Sequence, residues 1–203
     1  MRLYRFKFST NVERVTLALA HKGLEVESIW VDPRDRTPVV LVSGQRLVPV
    51  FAHDGHVIFD STAILRYLED AFPDPPLYPR DGAKRAEMDV FIEWFNRVYK
   101  RAPNEIEAEL AKPQPDAERI SELAREMVAH LAMHEGLLAE RDYLFGDELS
   151  AADFAAFPFL KYALKIDNGD DEHFHRILYE RQPIATYPRL RAWIERVDEL
   201  PRA

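Results

Sequence analysis

Four prolines fall within the seven residues from Pro73 to Pro79 (Pro73, Pro75, Pro76 and Pro79), and neither a helix nor a sheet ladder runs through such a stretch. The hydrophobic pattern changes across it. Before it come short apolar runs separated by polar turns, and after it apolar residues recur only at helical spacing. The chain therefore reads as an α/β domain of residues 1–75, a linker over 76–82 and an all-helical domain of residues 83–203.

The first half follows an order of strand, helix, strand, uncertain element, hairpin, helix. Leu3 to Phe8 alternates apolar and basic residues as a strand does. Thr10 and Glu13 have capping-box spacing, so a helix is expected from Thr10, with Thr10 or Asn11 as its cap and Gly23 as its stop. Val26 to Val31 reads as a second strand. Thr37 to Ser43 fits a short helix or an extended piece. Leu47–Ala52 and His56–Phe59 flank Asp54-Gly55, a hairpin signal, and Ser61–Ala71 turns helical. A strand-helix-strand opening implies a parallel pair with a right-handed crossover, and the hairpin makes the sheet mixed.

In the second half, Met88, Phe91, Ile92, Phe95, Val98 and Tyr99 form one stripe, and Ile120, Leu123, Met127, Leu131 and Leu138 another. Ala151 to Lys165 reads as a helix kinked at Pro158. Residues 171–181 and the stretch around Trp193 read as two more. Ser150 and Asp153 form a capping box, with Leu149 and Phe154 at the staple positions.

The net charge of −8 disfavours nucleic acid as a partner. The chain has no cysteine, so disulfide scaffolds, cysteine nucleophiles and thiolate metal sites are excluded. Three cations among the first seven residues, with no apolar core of signal-peptide length and no run able to span a bilayer, lead to the expectation of a cytoplasmic protein without a membrane partner.

Candidate chemistry sits at the turns. Ser9 lies where the first strand meets the first helix, and a helix N-terminus stabilises an anion such as a thiolate. With Thr10 or Asn11 as cap, the Ser9 hydroxyl is left free. Val48-Pro49 marks an edge or bend. Only about 5% of X-Pro bonds are cis, so spacing by itself argues for trans. Asp60-Ser61 fits a helix cap or an anion site, with Ser61 facing a carboxylate and Asp60 an amine. His130 and His134 are four apart, but Leu131 stands where a zinc-protease motif needs Glu. The run Asp167 to Glu172 lacks calcium-loop spacing and reads as negative charge for the first turn of the next helix. No metal is expected.

These pieces resemble the cytosolic glutathione S-transferase superfamily over essentially the whole chain. Ser9 to Val15 resembles its serine-type active-site turn, Leu47-Val48-Pro49-Val50 its cis-proline segment, Asp60 to Leu68 its γ-glutamyl-binding junction, and Gly146 to Phe154 its capping box. The resemblance implies a thioredoxin-like N-terminal domain, an all-α C-terminal domain, and a homodimer. It implies that Ser9 hydrogen-bonds the glutathione sulfur, with Thr10 and Asn11 as neighbouring polar candidates. It implies that Val48 pairs its backbone with the cysteinyl part, with Leu47 and Pro49 framing it, and that Asp60 and Ser61 hold the γ-glutamyl end. Asp60 stands where the family usually has Glu or Gln, and Arg46 or Gln45 is left for the glycyl carboxylate. The implied activity is detoxifying attack of bound glutathione on a small electrophile. The alternative is a non-catalytic binding or assembly module of the same fold. Lacking cysteine, the chain falls outside the thiol-transfer branches, which need a mixed disulfide.

Overall fold

In a computed structural model that describes residues 1–203, the first half folds as β1 (Arg2–Arg5), α1 (Thr10–His21), β2 (Glu27–Trp30), α2 (Thr37–Ser43), β3 (Val50–His53), β4 (His56–Phe59) and α3 (Ser61–Ala71). The sheet order is β2-β1-β3-β4, with β1 parallel to β2 and antiparallel to β3, and β3 antiparallel to β4. This is the mixed sheet expected from the pattern.

The local signals explain most boundaries. α1 ends because Gly23 turns left-handed at φ +65°, where its N–H reaches Ala20 O and Leu24 N–H reaches Leu19 O, closing the helix in a Schellman arrangement. Asp54 (φ 46°) and Gly55 (φ 81°) form the tight turn of the β3–β4 hairpin. The ambiguous stretch is the helix α2. Pro38 sits in its first turn, where no N–H is needed, and Gly44 caps it at φ 72°. β1 ends at Arg5 instead of continuing to Phe8, since Phe8 swings to φ 63°. Leu3, Val15, Leu19, Phe51, Ile64 and Leu68 are fully buried.

The proline segment is tied down. The buried Lys22 ammonium donates to Glu69 Oε2 at 3.3 Å and to the carbonyls of Phe72 and Pro75, while Leu77 N–H donates to Glu69 Oε2 at 2.7 Å. The chain divides after Arg80: one unit is Met1–Arg80 with Leu200–Ala203, the other Asp81–Glu199. The last four residues thus join the first unit. Ala203 N–H donates to Thr16 O at 3.1 Å, and Arg202 pairs with Glu13 at 2.9 Å.

The second unit is helical: α4 (Gly82–Trp94), α5 (Arg101–Leu110), α6 (Ala117–Leu137), α7 (Ala151–Leu160), α8 (His173–Arg181) and α9 (Pro188–Asp198). The first stripe is not one helix. A π turn over Phe95–Tyr99 separates α4 from α5, and Pro103, without an N–H, cannot return a bond to the Tyr99 carbonyl. α7 stops at Leu160, shorter than the expected Lys165. Beyond Pro158 the backbone tightens into a 3-10 turn over Lys161–Ala163. The capping box forms as the sequence indicates, and its Asp153 is buried. No helix is long and apolar enough to cross a membrane.

Candidate functional site

The strand register brings three separate segments to one end of the sheet. Tyr4, next to the end of β1, pairs with Val50 at the start of β3, and Val50 pairs with Phe59 at the end of β4. The β1–α1 turn carrying Ser9, the Val48-Pro49 segment entering β3, and Asp60-Ser61 leaving β4 therefore emerge side by side.

Ser9 is itself the N-cap of α1, which corrects the expectation that Thr10 or Asn11 caps the helix. Its Oγ accepts from Val12 N–H at 3.3 Å, and its carbonyl accepts from Glu13 N–H at 3.0 Å. The side chain is preferred because the extended backbone of Ser9 aims its oxygen along the helix axis. A hydroxyl that accepts still has its own proton to donate. Thr10 and Ser61 are buried, at 7% and 4% exposed, while Ser9 and Asn11 are half-buried.

The Val48–Pro49 bond is cis, against the expectation from spacing. The general rarity of such bonds averages over loops unlike this one. Val48 is buried, and the β3 ladder begins two residues later, at Val50, so the Val48 peptide groups stand outside it. Gln45 is consumed locally: its side chain donates to Leu47 O and accepts from Leu47 N–H, folding the loop onto itself. Of the two candidates for the glycyl carboxylate, Arg46 is the one whose side chain stays exposed. Leu47 is also exposed, at 76%.

Asp60 caps α3. Its Oδ1 accepts from Thr62 N–H at 2.9 Å and Ala63 N–H at 3.0 Å, while Oδ2 takes part in neither bond. Ser61, at the first position of the helix, is left with its N–H pointing out of the first turn. Both cap and ligand readings of Asp60-Ser61 thus use different atoms.

Outside the hairpin turn, the non-glycine residues with positive φ are Phe8 (63°) and Asp60 (74°), each directly before a candidate serine. Strained backbone of this kind costs on the order of 1–3 kcal/mol and is concentrated at sites that need a side chain re-aimed.

Sequence reasoning missed Arg14. It is 1% exposed, and its Nη1 donates to Ser61 Oγ at 3.3 Å, joining α1 to the start of α3. Burial pulls the guanidinium down to about 9, with the charge of Asp60 opposing the shift. The available signal was the run Val15–Ala20, apolar but for Thr16, which leaves α1 with little polar face for Arg14 to occupy.

The buried histidines have structural roles. His134 is fully buried among Phe91, Trp94, Phe95 and Tyr99, with Nδ1 at 2.7 Å from His130 O. His175 Nδ1 and Tyr162 Oη–H both meet Asp170 Oδ2, at 2.7 and 2.8 Å. The acidic run therefore serves mainly as a hub for side chains, with Asp167 on Lys161 at 2.6 Å.

A family model described as glutathione S-transferase, N-terminal domain, matches residues 3–76, and one described as glutathione S-transferase, C-terminal domain, matches residues 117–196. Protein LigF of Sphingobium is 28% identical, with 99% of this chain and 90% of LigF covered. The crystal structure of the beta-etherase LigF superposes with a TM-score of 0.79 at 26% identity, covering 98% of this chain and 95% of that one. FtsZ-localized protein A of Caulobacter vibrioides is 31% identical, with 76% of this chain and 73% of that protein covered.

Proposed function

The chain belongs to the glutathione S-transferase superfamily, and we propose that within it the protein is a serine-type transferase that binds glutathione at the Ser9, Val48 and Asp60-Ser61 end of the sheet and activates its thiol. The observation that carries this reading is the state of Ser9. Its oxygen is already an acceptor in the α1 cap, so its proton is available to an anion lying at the positive end of that helix.

The size of the effect fits. A free thiol has a pKa of about 8.5, and lowering it by two units takes about 2.7 kcal/mol of preference for the thiolate. A hydroxyl donor and a helix terminus together supply an amount of that order. The thiolate then attacks the electrophile, forming a carbon–sulfur bond as the leaving group departs with the bonding pair. Val48 offers strand-like backbone pairing to the cysteinyl residue. Asp60 Oδ2 and Ser61 N–H meet the amine and carboxylate of the γ-glutamyl end, and Arg46 the glycyl carboxylate. Since LigF is a beta-etherase, ethers are one electrophile class to test. A homodimer is part of the proposal, supported by Val57 and Phe59, 42% and 50% exposed on the edge strand β4. So is a cytoplasmic location, where glutathione is kept reduced.

The second reading is a non-catalytic assembly module, favoured by the likeness to FtsZ-localized protein A. Glutathione titration by calorimetry, alongside conjugation of chlorodinitrobenzene, separates the two. Binding with turnover that collapses in Ser9→Ala, while binding persists, supports the transferase. No binding to the wild-type protein at millimolar-scale glutathione leaves the assembly module.

A further inference from the structure

Arg14 is a full cation placed where charges are costly. A guanidinium removed from water loses several kcal/mol of solvation unless its surroundings answer it. Here Nη1 donates to the Ser61 hydroxyl oxygen at 3.3 Å, and the Asp60 carboxylate acts on it through space. Both residues belong to the strained turn that opens α3, where Asp60 stands at φ 74°.

The direction of the Arg14–Ser61 bond has a consequence. A hydroxyl has one proton, and its oxygen can both accept and donate. Since guanidinium only donates, it can meet Ser61 solely at an oxygen lone pair, and it repels the hydroxyl proton. The Ser61 O–H therefore turns away from α1, toward the side on which the Ser61 N–H emerges from the first turn. Two donors on one residue then converge on a single external acceptor, which is the geometry a carboxylate needs.

We propose that Arg14 is a positioning residue for the γ-glutamyl carboxylate: by donating to Ser61 Oγ it commits the Ser61 proton to the ligand. This rests on the glutathione reading above. Arg14 touches neither the ligand nor the sulfur, so its removal raises the KM for glutathione and leaves kcat at saturating glutathione nearly unchanged.

A double-mutant cycle tests the role. Arg14→Met fills the buried volume without a donor, and Arg14→Lys keeps the charge but replaces the planar fork with a point donor. Each is made alone and with Ser61→Ala, and glutathione affinity is measured by calorimetry beside the melting temperature. Arg14→Met is expected to weaken glutathione binding roughly tenfold when Ser61 is present and less than about twofold when it is alanine. Arg14→Lys is expected to show the same dependence on Ser61 at about threefold, which decides the matter if the methionine variant fails to fold. Equal losses in both backgrounds overturn the positioning role and leave Arg14 a purely structural cation, as does a fall in kcat with KM unchanged. Absence of glutathione binding to the wild-type protein overturns the glutathione reading and this inference together, so the two failures are distinct.

Discussion

The indole Nε1–H of Trp193 donates to Oδ1 of Asp153 at 2.9 Å, fastening α9 to the first turn of α7. The same carboxylate accepts from Leu144 N–H and Ser150 N–H at 2.9 Å and from the Ser150 hydroxyl at 2.7 Å. Burial raises the Asp153 carboxyl above its ordinary range, and these four donors pull it back.

Asp153→Ala strips four buried donors of their acceptor at once. The expected loss is at least about 3 kcal/mol, since each orphaned donor costs about 1–3 kcal/mol. Trp193→Phe removes one donor and part of the buried indole while leaving the other three donors their acceptor, and should cost about 1–2 kcal/mol. Urea unfolding of both variants checks the ratio; equal losses would mean that ring packing, not the carboxylate, joins the helices.

Lys22 anchors the proline segment to the first unit through Glu69, Phe72 and Pro75. Lys22→Ala leaves the Glu69 carboxylate without its cation and frees two carbonyls, for an expected loss of about 3–5 kcal/mol. Limited proteolysis should then cut between Phe72 and Arg80 well before the wild-type chain is cut there. Unchanged proteolysis would show that the prolines alone hold the segment.

His134 sets an acid limit on stability. Burial lowers it from 6.5 to about 4, so it is neutral in the folded protein and the unfolded chain binds the extra proton between those values. Its stabilising contribution is present above about pH 6.5 and is lost as pH falls toward about 4, an amount on the order of 3 kcal/mol. His130 and His21, also lowered chiefly by burial, act with the same sign, and Asp153, raised, acts with the opposite sign. His134→Phe should therefore flatten the dependence of the urea midpoint on pH across this window. A slope identical to that of the wild-type protein would place the acid sensitivity elsewhere.

Local signals were readable in the sequence wherever a few neighbouring residues decide the outcome. Asp54-Gly55 specifies its turn through the φ values it tolerates, Gly23 stops α1, and Ser150 with Asp153 closes a capping box. Ser9 and Asp60-Ser61 could be located by the same reasoning, because each marks a strand-to-helix junction. What stayed hidden depends on partners distant in sequence. Arg14 lies 47 positions from Ser61, and a lone arginine on a helix ordinarily faces water. Lys22 reaches 50 and 53 positions ahead to Phe72 and Pro75, contacts that no local pattern announces. The π turn at Phe95–Tyr99 buries Phe95 and Tyr99 but leaves Val98 37% exposed, a local change of phase that helical periodicity does not reveal. The acid run at Asp167–Glu172 lacks periodicity, and its use as a hub for Tyr162, His175 and Lys161 emerges only after folding.

On the transferase reading, Ser9 lowers the pKa of a glutathione thiol bound at the start of α1. The direct measurement is an ultraviolet titration of thiolate absorbance for glutathione in complex with the wild-type protein and with Ser9→Ala. The wild-type midpoint is expected about one to two units below the free value of about 8.5, returning most of the way in Ser9→Ala. A midpoint that is undisplaced in the wild-type complex, or displaced equally in both, would contradict that reading.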